Sequence, residues 1–268
     1  MELMQKIDRK EIKISVVGLG YVGLPTALNF HKAGFSVVGV DISEKVVESL
    51  KNRDLHLSDS SFTEKIPIEG NSWKVTTDFS EISLSDVVLI TVPTPVNEDR
   101  TPNLTYVNSS ISSVLDNIDR RKKTIVVLES TVFPGVTRQV IERLSAEKGV
   151  EIGEEVVPAY CPERVDPGPG GREIQSVAQI VGCDDPEVGK FLASLFSRIT
   201  SEESTYVGEI EVAEAAKLIE NVQRDIDIAL ANELSIILPK IGLDVEQVLD
   251  AASTKWNFHK HTPGIGVG

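Results

Sequence analysis

Cysteine is nearly absent. Only Cys161 and Cys183 occur in 268 residues. That is too few for a disulfide framework, in a chain long enough to bury a core without one. Histidine is sparse too, with only His31, His56, His259 and His261. No Cys/His cluster has metal-ligand spacing, and His259 and His261 read as solvated loop residues. Basic residues are outnumbered: 27 Lys and Arg stand against 41 Asp and Glu, for a net charge of −14. This argues against a nucleic-acid or anionic-membrane partner. An anionic ligand stays possible, because local backbone N–H groups can hold a phosphate on a negative surface. The acidic excess is most simply a solubility feature. No uninterrupted apolar run reaches the length of a membrane span. Met1 to Lys10 is charged and lacks the apolar centre of a signal peptide. A soluble, cytoplasmic protein of more than one domain is expected. No internal repeat or low-complexity segment is visible.

What is present begins with Gly18-Leu19-Gly20-Tyr21-Val22-Gly23. A β-rich run, Ile12 to Val17, precedes it, and an amphipathic stretch with Leu24, Ala27, Leu28 and Phe30 follows. The first glycine serves a tight strand-to-helix turn. The second lets the backbone approach a pyrophosphate, and the third lets helix and strand pack closely. The pyrophosphate would rest on the helix N-terminus, where N–H groups and the dipole favour an anion. A second strand, Phe35 to Val40, ends at Asp41, 18 residues past Gly23. A carboxylate there accepts the ribose hydroxyls and repels a 2′-phosphate, favouring NAD over NADP.

Strand and helix patterns alternate over the first two hundred residues. Strands are predicted at 12–17, 36–40, 73–76, 86–91, 124–128, 155–160, 177–181 and 203–207. Helices are predicted at 21–33, 43–51, 103–117, 134–148 and 185–198. The pattern is that of an α/β, Rossmann-type doubly wound parallel sheet. Residues 51–72 and 92–103 read as polar connections. Asp86 to Val92 is nearly all apolar, as a central parallel strand should be, and ends in Pro93-Thr94-Pro95. Leu128-Glu129-Ser130-Thr131 ends the next strand. Such carboxyl ends face the ligand crevice. From Ile210 to about Ile241 the apolar residues recur at helical spacing, predicting one long connecting helix. A shorter helix, Asp244 to Ala252, follows with Asp244 as its cap. The expected division is a dinucleotide domain over 1–207, then over 208–268 the long helix and part of a helical dimerisation or substrate domain.

Several constellations could carry chemistry. Lys217 and Asn221 are i and i+4 on one helix face, suited to stabilising charge on an alcohol or carbonyl oxygen, or else a surface lysine with a polar neighbour. Glu163 lies just past a predicted strand in Tyr160-Cys161-Pro162-Glu163-Arg164. It could activate water, or simply pair with Arg164 in solvent. Thr131 could bond substrate or water, or begin the turn into Pro134-Gly135. Cys161 and Cys183 read as buried, inert thiols, with no obvious base nearby. The candidate cofactor contacts are Gly18, Gly20, Tyr21, Val22, Gly23, Asp41, Thr94 and Thr131. The closing Gly264-Ile265-Gly266-Val267-Gly268 lacks the Lys-Ser/Thr of a Walker loop and reads as a frayed terminus.

Together these segments resemble the UDP-glucose/UDP-N-acetylhexosamine 6-dehydrogenase family from Ile14 to Gly268. The pieces are GLGYVGLPTAL from Gly18, TVPTP from Thr91, ESTVFPG from Glu129, CPERVDPG from Cys161, AAKLIENVQRDIDIALANEL from Ala215 and TPGIGVG from Thr262. The resemblance implies oxidation of a UDP-sugar's C6 alcohol to the carboxylate with two NAD per turnover, in polysaccharide biosynthesis. It implies that Lys217 and Asn221 stabilise the developing oxyanion, and that Glu163 and Thr131 order the hydrolytic water. Substrate contacts would be Glu163, Arg164, Lys217, Asn221 and Arg224. A homodimer through the helical segment is also implied. Pro162-Glu163-Arg164 with Pro167-Gly168, and Asn221-Val222-Gln223-Arg224, look like the N-acetylhexosamine branch. UDP-N-acetylmannosamine and UDP-N-acetylglucosamine are the leading substrates, and no residue separates the two epimers.

One departure stands at the end. Relatives continue through Gly-His-Cys, whose thiol captures the aldehyde, and then add a UDP-binding domain. This chain stops at Gly268, so the expectation is an N-terminal part that binds NAD and is inactive alone. Two other readings stay open. A β-hydroxyacid dehydrogenase also pairs a lysine and an asparagine on a long helix and needs no cysteine. A non-catalytic, NAD-binding dimerisation partner would use the apolar helix as its interface.

Overall fold

The computed structural model describes residues 2–54, 65–164 and 174–264. In chain order the elements are α1 (Glu2–Asp8), β1 (Lys13–Val17), α2 (Gly23–Lys32), β2 (Ser36–Val40), α3 (Glu44–Lys51) and β3 (Trp73–Thr76). Then come β4 (Val87–Ile90), α4 (Thr105–Asn117), β5 (Thr124–Leu128), α5 (Val136–Lys148) and β6 (Val156–Tyr160). The chain continues with β7 (Ile180–Gly182), α6 (Pro186–Phe196), β8 (Thr205–Gly208), α7 (Ile210–Ile237) and α8 (Val245–Ser253). Short 3₁₀ turns lie at Phe79–Leu84, Ile174–Ser176 and Leu238–Ile241.

Every predicted strand is present within a few residues. The strands form an eight-stranded sheet in the order β3-β2-β1-β4-β5-β6-β7-β8. The pairings are parallel except β6 with β7, which meet antiparallel at Tyr160 and Gly182. The expected all-parallel sheet is corrected there: β7 and β8 run together as a pair turned against the rest. The residues leading from β6 toward β7 include 165–173, outside the described residues; there too lie Val165 to Gly168 of the CPERVDPG segment.

β4 explains the sheet's centre. Val87, Val88, Leu89 and Ile90 are all fully buried, each worth roughly 1.5–3 kcal/mol relative to exposure. Alternation along the strands feeds two cores, one on each face. Ile14, Val16 and Leu89 join Leu24, Phe30, Phe191 and Phe196 on one side. Val17, Val88 and Ile90 join Val107, Ile111, Val136 and Ile141 on the other. Helix starts follow local chemistry. Asp185 accepts from the Glu187 and Val188 N–H groups at 2.9 and 3.3 Å, with Pro186 in the first turn of α6. Asp244 accepts from Gln247 N at 2.9 Å, as its predicted cap role requires. The α1 helix has no counterpart among the predicted elements, because a seven-residue charged segment carries little periodic signal. The long helix stops being α-helical at Ile237, where Pro239 removes an N–H and forces a 3₁₀ turn.

The chain divides into two compact units, Met1–Ala215 and Ala216–Gly268, with the division inside α7. In the second unit, Asn232 holds Gly264 through two hydrogen bonds, at 2.7 and 2.8 Å. Ile265 to Gly268 of the glycine tail lie outside the described residues.

Candidate functional site

Strand order reverses direction between β1 and β4, which places a crevice at their carboxyl ends. The loop Gly18 to Val22 leaves β1 there. Gly18 has φ +93°, and its N–H donates to Val40 O at 2.8 Å. A Cβ on Gly23 would lie 1.9 Å from Gly18 O and 2.3 Å from Thr91 Oγ1. Helix and strand therefore meet at a distance only glycine permits. Around Gly20 the reverse holds: nothing lies within 4 Å of a Cβ there. That open side of the loop fits a pyrophosphate. Val22 precedes α2 without a side-chain cap, leaving the helix terminus to an anion. Tyr21 is exposed beside it.

Asp41 bridges loop and strand. One carboxylate oxygen accepts from Leu19 N at 2.8 Å and the other from Ser43 N at 2.9 Å. Each oxygen keeps a further lone pair for a ribose hydroxyl. Thr91 escapes sequence reasoning as a site residue although it opens the TVPTP segment. Its hydroxyl lies within hydrogen-bond distance of both Val17 O at 3.0 Å and Gly18 O at 2.7 Å, tying β4 to the glycine loop. The two following loops are cross-linked. Thr94 Oγ1 donates to Thr131 O at 2.9 Å, and Ser130 Oγ to Val92 O at 2.6 Å. Thr131 is exposed.

The next carboxyl end, that of β6, carries Cys161 to Arg164. Cys161 N donates to Leu128 O at 3.0 Å, and Glu163 N approaches Glu129 O at 3.4 Å. Glu163 is half-buried, and the Arg164 guanidinium donates to Ala178 O at 2.7 Å. Burial pushes the Cys161 thiol well above its usual range, with the Glu129 and Glu163 carboxyls adding to the effect. Cys183 is pushed up to about 11 by burial. Neither is a thiolate at neutral pH, so both match the inert reading. Among the described residues no group of His, Cys, Asp or Glu could hold a metal ion.

Two further groups have no role assigned to them by the sequence. Glu129 is 4% exposed and its Oε1 has no hydrogen-bond partner. Burial, then the charge of Glu163, raises its carboxyl well above the ordinary range. Glu214, fully buried near the start of α7, accepts from Gly135 N at 2.5 Å and Thr137 N at 2.9 Å. It caps α5 and so anchors the loop that carries Thr131. Beside it Arg138 bonds Glu211 at 2.6 Å and also pairs with Asp184.

The first unit thus brings together the glycine loop, Asp41, Thr94, Thr131 and Glu163 at adjacent strand ends. In the second unit, Lys217, Asn221 and Arg224 share one face of α7, at i, i+4 and i+7. Lys217 and Asn221 are half-buried and Arg224 is exposed.

Comparison with known proteins identifies the family. Residues 12–200 match the NAD binding domain of the UDP-glucose/GDP-mannose dehydrogenase family, and residues 211–268 match its central domain. A UDP-N-acetyl-D-glucosamine 6-dehydrogenase of Pseudomonas aeruginosa is 39% identical over 97% of this chain and 60% of its own length. A UDP-N-acetyl-D-mannosamine dehydrogenase of Pyrococcus horikoshii is 33% identical over 96% of this chain and 61% of its own. The solved UDP-D-ManNAc dehydrogenase from Pyrococcus horikoshii superposes with a TM-score of 0.84 at 31% identity, covering 96% of this chain and 61% of that one. The chain spans about 60% of the length of these relatives. Fold, cofactor loop and sequence together show that this chain belongs to the UDP-glucose/GDP-mannose dehydrogenase family, whose NAD-binding domain forms its first two hundred residues.

Proposed function

We propose that this protein oxidises the C6 alcohol of a UDP-N-acetylhexosamine to the carboxylate, with NAD as hydride acceptor. The observation that carries the reading is the extent of likeness: more than nine-tenths of the chain aligns with dehydrogenases named for UDP-GlcNAc or UDP-ManNAc. Residues 1–207 would serve the cofactor, and the helical segment from 208 would serve substrate and dimerisation.

NAD, when bound, would supply the hydride acceptor, twice per turnover, for the oxidation of alcohol to carboxylate. The chain's residues do the rest. Gly20 and the α2 terminus receive the pyrophosphate, and Asp41 the ribose. The Lys217 ammonium and the Asn221 amide hold an oxygen as negative charge develops on it. Glu163 and Thr131 order the water that completes the acid. Glu163, Arg164 and Arg224 add substrate contacts. The apolar residues Ile219, Val222, Ile226 and Leu230 are all exposed along α7 and support a homodimer.

The test is NADH formation by the intact enzyme with UDP-N-acetylmannosamine and UDP-N-acetylglucosamine, using simple 3-hydroxy acids as controls; residues 1–268 alone are expected to bind NAD without turnover, since they span about 60% of the length of these relatives. UDP-sugar-dependent reduction is expected. Turnover of the hydroxy acids alone would replace this reading with a β-hydroxyacid dehydrogenase. Lys217→Ala is expected to lower kcat by about 10²–10³-fold, as for loss of an oxyanion donor. NAD affinity should stay unchanged; an unaltered kcat would remove Lys217 from the mechanism.

A further inference from the structure

Glu129 is a buried carboxyl to which the proposed chemistry gives no task. It sits one residue beyond the end of β5. The register pairs Leu128 with Tyr160, so Glu129 and Cys161 are the next positions on adjacent strands. The backbone continues the alignment, with Cys161 N on Leu128 O and Glu163 N facing Glu129 O. This places two carboxyl-bearing residues, Glu129 and Glu163, at neighbouring strand ends, one buried and one half-buried.

We propose that Glu129 is a positioning residue: the neutral acid of a carboxyl pair with Glu163, which leaves the pair's single negative charge on Glu163. This rests on the role assigned to Glu163 above. The physical ground is that two carboxylates sharing a site do not both ionise readily, and the more deeply buried one keeps the proton. Glu129 is the more deeply buried, and its Oε1 has no hydrogen bond that would favour a charge.

The surroundings agree with that distribution. Glu163 acts on this group from the loop after β6, and Glu129, Glu163 and Arg164 all act on the neighbouring Cys161. Tyr160 adjoins Glu129 from the end of β6 and feels Glu214 from α7. The thiol and the phenol are both held neutral by burial. Arg164, a cation beside Cys161, donates to Ala178 O. A second negative charge on Glu129 would oppose further negative charge beside Glu163. Ionisation of Glu129 then sets the upper pH limit of turnover.

Infrared-monitored pH titration of the chain reads the proton directly. A carboxylic-acid band should persist above the usual carboxylate range in the wild type and be missing in Glu129→Gln. In Glu163→Gln, the midpoint for loss of that band should fall by about one pH unit, because the neighbouring charge is gone. In the intact enzyme, the alkaline limb of kcat should disappear in Glu129→Gln, while KM for NAD stays within about twofold. A merely structural role would not move that limb. An identical acid band in wild type and Glu129→Gln overturns the proposal, and so does a midpoint indifferent to Glu163→Gln. An alkaline limb retained in Glu129→Gln reduces Glu129 to a buried acid of the fold. Full turnover by Glu163→Gln would instead sink the role of Glu163, leaving the infrared result to report on the pair. Should Glu129→Gln fail to fold, the Glu163→Gln titration still decides.

Discussion

Gly20 and Gly23 do different work in the same loop, and experiment can separate them. Gly23→Ala drives a methyl to within 1.9 Å of a carbonyl oxygen. The expected cost is about 1–3 kcal/mol or more, read as a lowered Tm. Gly20→Ala meets nothing within 4 Å. It should leave Tm nearly unchanged and weaken NAD binding in calorimetry, since its methyl enters the space assigned to the pyrophosphate. Equal loss of stability in both variants would refute that division. Glu129 has its own signature. Its ordinary value is 4.5, and in the folded chain it lies well above that. Between the two values the folded state binds more protons than the unfolded state. The stability it contributes is therefore whole below about 4.5 and is lost as pH rises toward the folded value. Urea denaturation over a pH series should show this slope, at most about 1.4 kcal/mol per pH unit, and Glu129→Gln should flatten it. Parallel curves for the two proteins would contradict the buried acid.

At the scale of elements, the contact to test is the cap that α7 provides for α5. The first turn of α5 follows Gly135, which has φ +96° and no capping side chain of its own. Glu214 supplies the acceptor from 79 residues away for the Gly135 N–H. Glu214→Ala would bury two N–H groups without partners. Charge-assisted bonds of this kind put the loss at about 2–4 kcal/mol in chemical denaturation; a change below about 0.5 kcal/mol would show that water replaces the carboxylate. In the sequence Glu214 is only one acid among several in a helix. Nothing local predicts it, because its partner is set by how α5 and the start of α7 pack. Asp185 and Asp244 are different: their caps act within three residues, and the role of Asp244 is legible in the residues around it.

For the molecule as a whole, the exposed stripe Ile219, Val222, Ile226 and Leu230 is the feature with consequences for assembly. These residues are 66%, 46%, 59% and 54% exposed, and they recur at i, i+3, i+7 and i+11 on one face of α7. A dimer is expected in sedimentation analysis, and Ile226→Asp should shift it toward monomer by placing a charge in the apolar contact. A wild-type monomer would set the homodimer aside. Among the described residues no helix is long and apolar enough to cross a membrane.

The order of strands and helices, the dinucleotide loop and Asp41 are readable from residues alone. Each depends on contacts between neighbours in the chain: period-two and period-3.6 burial, a glycine turn, an acid at a strand end. The same locality makes Lys217 and Asn221 visible as a pair, since one helical turn joins them. The antiparallel turn of β7 against β6, the clasp of Thr91 on the glycine loop, the capping of α5 by Glu214 and the burial of Glu129 beside Glu163 are settled only by tertiary structure. Their partners lie far away in sequence, or on another strand, and no local pattern encodes which groups packing will bring together or which it will strip of water.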